Sequence, residues 1–217
     1  MKRIFFLYGL LLFYAPVWAQ NNISQRFSVG FFVGFESQFL GIDNFFSLQP
    51  ERWAYSPVSS RGASIGIFAR KQVLPWLAFQ PELSTTYLSN RVQFSADPPQ
   101  MYRFWDVEVP LHFAITDVRK ANAPLRGCIL IGGRLGWNMV QNPSNLLHVS
   151  QEWAALDLGL GADIKWGTWH IQPSFIFAHG LNDLHILGKG SYDTVVGSIL
   201  RDKFSFRVYM WRKKRKK

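Results

Sequence analysis

The stretch that decides the fold runs from Trp153 to Asp183 and reads WAALDLGLGADIKWGTWHIQPSFIFAHGLND. Between residues 154 and 166, apolar side chains fill every second position, and mostly polar residues and glycines lie between them. A period of two is typical of a β-strand with one apolar face. The segment Lys165–Thr168 predicts a tight reversal, and the alternation resumes over residues 169–177. We therefore predict a hairpin of two strands here.

The length of these two strands favours a membrane over a soluble sheet. Each has about a dozen residues, whereas strands in globular proteins usually have ~5–6. A tilted strand needs roughly 9–11 residues to cross a bilayer, with aromatic side chains near the two interfaces. Aromatic residues stand at the ends of both predicted strands, and Phe, Trp and Tyr make up 16% of the whole chain. The hairpin is therefore predicted to span a membrane.

The same alternation recurs along the chain and predicts eight strands. Besides the hairpin, strands are expected near residues 27–35, 61–71, 77–87, 105–115, 128–139 and 203–211. The connections between them alternate in length, and the longest are Ser37–Ser60 and Gly180–Arg201. An even strand count, short turns on one side and long loops on the other are typical of outer-membrane barrels. The predicted fold class is all-β, an eight-stranded antiparallel transmembrane β-barrel of the outer-membrane type.

Charged residues of both signs occupy the face opposite the apolar one. The interior of an eight-stranded barrel is just wide enough for side chains to fill, and charges buried there need partners. We therefore expect a plugged interior without a water-filled pore. The expected polar network contains four acids and three bases: Glu82, Glu108, Asp157, Asp163, Arg134, Lys165 and Arg207. In the alternative, a soluble barrel of the lipocalin type, this charged face would be the solvated exterior and the apolar residues would surround a ligand.

The two ends of the chain differ from the predicted barrel. Lys2 and Arg3 precede an apolar run, and Val17–Ala19 has the small-residue pattern of a cleavage site, so residues 1–19 are predicted to be a signal peptide. Residues 20–211 are assigned to the barrel and residues 212–217 to a basic tail. The tail is expected on the periplasmic side, either as a mobile solvated segment or in contact with anionic headgroups or an acidic partner.

Charge and composition exclude several function classes. Of the net charge of +10, two units lie in the predicted signal peptide and six in the tail, so the remainder of +2 offers no basic face for nucleic acid. The five histidines show no metal-ligand spacing, no phosphate-binding loop is present, and Cys128 is the only cysteine. We expect no cofactor, no metal and no small-molecule substrate. A barrel enzyme, with His112 or His170 as its acid–base group, remains an alternative.

Several segments carry a resemblance to a known family. They include FSVGFFVGF at residues 27–35, the Glu-x-Pro-Leu element at Glu108–Leu111, ILIGGRLGWN at residues 129–138, and Pro173–Asn182. In these segments the chain resembles the PorT family of Bacteroidetes outer-membrane β-barrels, PorT/SprT-like proteins of type IX secretion and gliding motility. The resemblance implies a non-enzymatic protein of the outer membrane, in contact with its lipid and with other components of a secretion system.

A second hypothesis leaves the fold unchanged and moves the function to the loops. Loops are the variable, surface-exposed parts of a barrel and often carry its binding sites. An adhesin-like or structural barrel would bind ligands through the outer loops predicted at Ser37–Ser60 and Gly180–Arg201. Loss of export on deletion would favour the secretion role, whereas a defect confined to surface binding would favour this one.

Overall fold

The computed structural model describes residues 27–45, 52–56, 60–117, 123–140, 146–188 and 190–212. The predicted signal peptide and residues 213–217 of the basic tail lie outside this part of the chain. Within it, the strands are β1 (Phe27–Asn44), β2 (Ala54–Tyr55), β3 (Ser60–Leu74), β4 (Leu77–Phe94), β5 (Gln100–Thr116), β6 (Leu125–Asn138), β7 (Glu152–Trp166), β8 (Trp169–Gly180) and β9 (Val196–Arg212). No helix in the described ranges is long and apolar enough to cross a membrane.

Eight long strands close into a ring. Each pairs antiparallel with its neighbours in the order β4, β3, β1, β9, β8, β7, β6, β5, and the pairing of β4 with β5 completes the circle. The first and last long strands meet along a seam that runs from Gly30↔Trp211 to Asn44↔Val196. The two-residue strand β2 adds to the far end of β4. The predicted eight-stranded antiparallel barrel is therefore confirmed.

The outer surface of the ring is so rich in apolar side chains that its exposure to water would be unfavourable. Large apolar side chains point outward from all eight long strands, and Phe35 is 74% exposed and Leu160 62% exposed. Exposed tryptophans and other aromatics lie toward both ends of the barrel, as at membrane interfaces: Trp76, Trp166 and Trp169 near the short turns, and Phe39, Tyr87, Trp105 and Trp137 toward the loops. A continuous apolar belt between two aromatic rows identifies the ring as a transmembrane barrel.

Two glycines show how the local sequence permits this geometry. Gly167 has a φ of 62°, a conformation that glycine adopts readily, and it forms the turn between β7 and β8 with Thr168. Inside the narrow barrel, a Cβ atom added to Gly66 would lie 2.6 Å from the ring of Phe32. The glycine therefore makes room for a large aromatic side chain on the adjacent strand.

The strands at the loop side are longer than the sequence predicts. β1 continues to Asn44 and β9 begins at Val196, so the connections are residues 45–59 and 181–195. The predicted bounds of the loops Ser37–Ser60 and Gly180–Arg201 are wrong to that extent, and the connection between β4 and β5 is only residues 95–99. At the other end of the barrel, Arg212, assigned to the tail from the sequence, is the last residue of β9.

The reason is an inversion of polarity along the barrel axis. Within the belt, apolar residues point outward, and the inward side chains are charged and polar residues together with a buried cluster that includes Phe32, Phe68, Leu130 and Ile176. Beyond the aromatic row at Tyr87 and Trp105, Leu88, Val92 and Phe104 point inward and are buried, and most outward residues are polar. Alternation continues through this point, but its apolar phase shifts from the outer to the inner face. The pattern of outward apolar residues therefore ends at the aromatic row, although the strand continues beyond it.

Candidate functional site: the closed barrel interior

The middle of the barrel interior holds a cluster of ten buried ionisable side chains. They come from β1, β4, β5, β6, β7 and β9, and we call them the central network: Glu36, Glu82, Asp106, Glu108, His112, Arg134, Asp157, Arg201, Lys203 and Arg207. Each occupies an inward position of its strand because the period of two brings every second side chain to the same face. The network therefore follows from the same alternation that builds the wall.

Arg134 joins two acids from neighbouring strands. Its Nη1 donates to Oε2 of Glu108 at 3.0 Å, and its Nε donates to the carboxylate of Asp157 at 2.9 Å. The three residues lie on β5, β6 and β7, and all three are buried. The structure therefore brings together three of the residues that the sequence assigns to the interior.

Arg207 on β9 performs the same role on the opposite side of the interior. Its Nη2 lies 3.0 Å from Oε1 of Glu36, and its Nη1 lies 3.2 Å from Oε2 of Glu82. Glu36 also accepts hydrogen bonds from Ser64, at 2.6 Å, and from Ser205. Arg207 therefore connects strands that are not neighbours in the ring, since β4 and β9 are separated by β1 and β3.

His112 lies between two carboxylates at the centre of the barrel. Its Nδ1 is 2.9 Å from Oε1 of Glu82 and its Nε2 is 2.6 Å from Oδ2 of Asp157, with the side chain 0% exposed. An ionised carboxylate only accepts hydrogen bonds, and a neutral imidazole has one N–H. Both contacts can be hydrogen bonds only if these three residues hold one proton more than a neutral histidine and two carboxylates.

That additional proton balances the charge of the network. Its acids number five, and they face four cationic side chains, from three arginines and one lysine. The proton held by Glu82, His112 and Asp157 supplies the fifth positive charge. A buried network is expected to have no net charge, because an uncompensated charge in a poorly hydrated interior is costly.

Five members of the central network are absent from the set that the sequence predicts: Glu36, Asp106, His112 and the two bases Arg201 and Lys203. Arg201 contacts Asp106 and donates through Nε to Gln38 at 2.6 Å, and Lys203 contacts Glu108. Both cations also lie over the ring of Trp153, at 4.4 and 4.9 Å. The sequence places the start of this strand at Lys203, so Arg201 lies outside the predicted strand, whereas Lys203 has the inward parity of Arg207 at its first position. Along the full β9 strand, every second position before Arg207 points inward, and these positions include Lys203 and Arg201.

Two predicted members, Lys165 and Asp163, lie outside the central network. Lys165 is exposed, two residues beyond Asp163 and one before the end of β7, so its assignment to the interior is wrong. It has the inward parity, but it lies at the rim, where the barrel opens to water near the short turn. Asp163 is buried and pairs with Arg126 and with His170, whose Nδ1 is 2.8 Å away. It forms a separate cluster below the central network.

Both histidines of the enzyme alternative are engaged in these clusters. The ring nitrogens of His112 both face carboxylates, and His170 contacts Asp163 and stacks on Trp211 with ring centroids 5.0 Å apart. Neither arrangement presents a nucleophile or a free acid–base pair at a rim. Within the described ranges, no group of three or more His, Cys, Asp or Glu side chains could hold a metal ion.

Above the central network, the barrel is closed by an apolar cap. Leu147 and Leu184 from the connections, together with Tyr192, pack against inward residues of the strands such as Phe104 and Ile199. Trp153 belongs to this cluster and also contacts the two cations below it. A layer of hydrophobic packing therefore lies directly on a layer of paired charges, and together they fill the interior from the loop side to its middle.

Asp193 holds two loops of the cap together. Its carboxylate accepts hydrogen bonds from the backbone N–H of His148 at 2.9 Å, from Nδ1 of His148 at 2.7 Å and from the N–H of Gly190 at 2.9 Å. Burial by itself would raise the pKa of Asp193, but these donors stabilise the carboxylate and hold its pKa below the usual value. We call this contact the Asp193 latch.

Comparison with known proteins supports the fold and nothing finer. No family model and no curated protein sequence matches the chain. The crystal structure of the outer membrane protein OprG from Pseudomonas aeruginosa is similar, with a TM-score of 0.58 and 10% identity over 88% of this chain and 97% of that chain. Neisserial surface protein A matches over 85% of this chain and 97% of that chain, with 12% identity and a TM-score of 0.47. At 10% identity, the similarity to OprG indicates a common outer-membrane barrel architecture.

Proposed function

We propose that this protein lies in the outer membrane and is a non-enzymatic component of a type IX protein secretion system. The resemblance to the PorT family at Glu108–Leu111 and Pro173–Asn182 supports the assignment to that system. The apolar belt and the likeness of the fold to outer-membrane barrels support the location. The predicted signal peptide agrees with export from the cytoplasm.

The observation that carries this proposal is the filled interior. Arg207 and Glu108 are each fully buried at the middle of the barrel, and the apolar cap covers them from the loop side. A barrel filled in this way is unsuited to be the conduit for a folded cargo or for small solutes. Its contribution to secretion is therefore made through surfaces, namely the loops, the short turns and the tail, which contact other components of the machinery.

A deletion strain tests this proposal directly. Proteins in the medium and in the periplasm are quantified by mass spectrometry for the parent, the deletion strain and the deletion strain complemented with the full-length gene. The proposal predicts that normally exported proteins accumulate in the periplasm of the deletion strain and return to the medium on complementation. If the secretome is unchanged by the deletion although the barrel is present in the outer membrane of the parent, the resemblance to the PorT family applies to the fold and not to the secretion function.

One feature of the surface favours the adhesin-like alternative. The connection between β8 and β9 presents three exposed apolar side chains, Leu181, Ile186 and Leu187, and Leu187 is 80% exposed. Exposed apolar groups beyond the membrane often mark a surface that binds another molecule. Under this alternative, Ile186→Ser with Leu187→Ser abolishes attachment to surfaces and leaves export intact. Met139→Ser, at another exposed apolar residue on the loop side, is the matched control.

A further inference from the structure

Three arginines form a patch on the outer wall of the barrel at its loop side. Arg61 on β3, Arg91 on β4 and Arg103 on β5 all have outward parity and are exposed. We call them the arginine patch. They lie on three strands that are consecutive in the ring, since β4 pairs with both β3 and β5.

The register of the strands brings these side chains close to one another. Arg103 pairs with Ser89, and Arg91 pairs with Met101, so Arg91 and Arg103 are diagonal neighbours about 7–8 Å apart. Gly62 pairs with Leu88, which brings Arg61 beside Ser89 from the other side. Arg61 and Arg103 are then separated by two strand spacings, roughly 10 Å. The three arginines are therefore neighbours of Ser89 on the outer face of the wall.

The depth of the patch is set by the aromatic row next to it. Tyr87 pairs with Trp105, and both are exposed on the outer wall. Interfacial aromatics mark the level at which the hydrocarbon core meets the headgroups. Arg103 lies two residues beyond Trp105, about 6–7 Å further along the strand. The arginine patch therefore lies at the level of the headgroups on the loop side of the membrane.

The charge around the same rim is uneven. The outward carboxylates Asp43, Glu152 and Asp202 lie on β1, β7 and β9. Among the residues that the structure describes, no carboxylate lies within 4 Å of the guanidinium of Arg61 or Arg91. The sector formed by β3, β4 and β5 is thus basic at headgroup level. The outward carboxylates of the wall lie on other strands, and Asp97 lies further out, in the connection between β4 and β5.

From this geometry we propose that the arginine patch binds a phosphorylated glycolipid of the outer leaflet. Arginine binds phosphate through two parallel N–H donors, which suits it better than lysine to a fixed phosphate site. The apolar wall below the patch, with Leu83 and Val107 on the same strands, lies alongside the acyl chains of the same lipid. The three arginines take the phosphates of its headgroup. This binding does not depend on a role in secretion.

Lipid binding to purified protein tests the proposal. The full-length chain, in a zwitterionic detergent, is titrated with diphosphoryl lipid A, and the bound fraction is measured by native mass spectrometry. Dephosphorylated lipid A and inorganic phosphate are titrated in parallel. The test variant carries Arg61→Gln, Arg91→Gln and Arg103→Gln. The matched control carries Lys71→Gln, Lys165→Gln and Arg212→Gln, which remove three basic side chains near the short-turn rim.

We expect the test variant to bind diphosphoryl lipid A at least about tenfold more weakly than the wild type, and the control to stay within about twofold. Dephosphorylated lipid should bind the wild type as weakly as the test variant binds the intact lipid. Equal binding by the wild type and the test variant would overturn the proposal. Complete displacement of the lipid by inorganic phosphate, at a concentration equal to that of the lipid, would also overturn the proposal. A heat-dependent gel shift of each variant verifies that the barrel has formed.

Discussion

Arg207 on the last strand lies 3.0 Å from Glu36 on the first, so an ion pair crosses the seam at which the barrel closes. The same guanidinium lies 3.2 Å from Glu82 on β4. Closure of the ring and filling of its interior therefore depend on one side chain. The seam, which joins the two ends of the barrel sequence, is fixed by charge as well as by backbone hydrogen bonds.

Removal of this ion pair should destabilise the barrel strongly. Arg207→Gln leaves the carboxylates of Glu36 and Glu82 without their main cation, and the loss of one partner of a buried pair typically costs about 3–5 kcal/mol. Reversible unfolding in urea, from lipid vesicles, measures the free energy of unfolding. Lys165→Gln, at an exposed residue of the short-turn rim, is the control and should change it by less than ~0.5 kcal/mol. Equal stability of the two variants would contradict the buried ion pair.

The charge balance of the network gives a second prediction, which concerns His112. His112→Gln removes the proton shared with Glu82 and Asp157 and leaves the network with one excess negative charge. Adding Glu82→Gln restores neutrality, so the double variant should be more stable than His112→Gln alone by at least ~1 kcal/mol. Urea unfolding of the wild type and the three variants provides the cycle. Additive losses would show that the shared proton is not part of the balance.

The Asp193 latch predicts a pH dependence of the loops. The pKa of Asp193 is lowered in the folded protein, so its stabilising effect is complete above the unfolded value of ~3.9 and is lost as the pH falls through the lower folded value. Hydrogen–deuterium exchange, corrected for intrinsic rates, should show protected amides at residues 146–149 and 190–193 at pH 7 and pH 5, and loss of that protection as the pH falls well below ~3.9. Asp193→Asn should expose them at pH 7. Protection unchanged by this substitution would rule out the latch.

Much of the barrel follows from alternation with a period of two. The hairpin around Gly167, the outward row of Phe27–Phe35 and the inward acids Glu82, Glu108 and Asp157 all have the parity that the sequence assigns to them. Parity is a local property, because successive side chains of a strand must point to opposite faces. Strand count and facing can therefore be predicted without any knowledge of the partner strands.

The depth of a residue along the barrel axis cannot be predicted from its parity. Lys165 shares the parity of Asp163 but lies at the rim, because only the pairing of whole strands determines where the wall ends. Arg201 lies inside because it shares the inward parity of Lys203 and Arg207 on a strand that begins earlier than predicted, at Val196. Residues near either end of a strand therefore need the register before they can be placed.

The measurement that tests the central claim most directly is conductance in a planar bilayer. A barrel filled by paired charges and covered by an apolar cap should show no steady channel on the order of a nanosiemens for the wild type. The protein must be verified as folded by its heat-dependent gel shift. Absence of conductance after insertion of the folded protein would agree with a barrel that acts through its surfaces. Stable openings of nanosiemens size would mean that the interior is a water-filled pore, and they would contradict both the paired charges and the apolar cap as its closure.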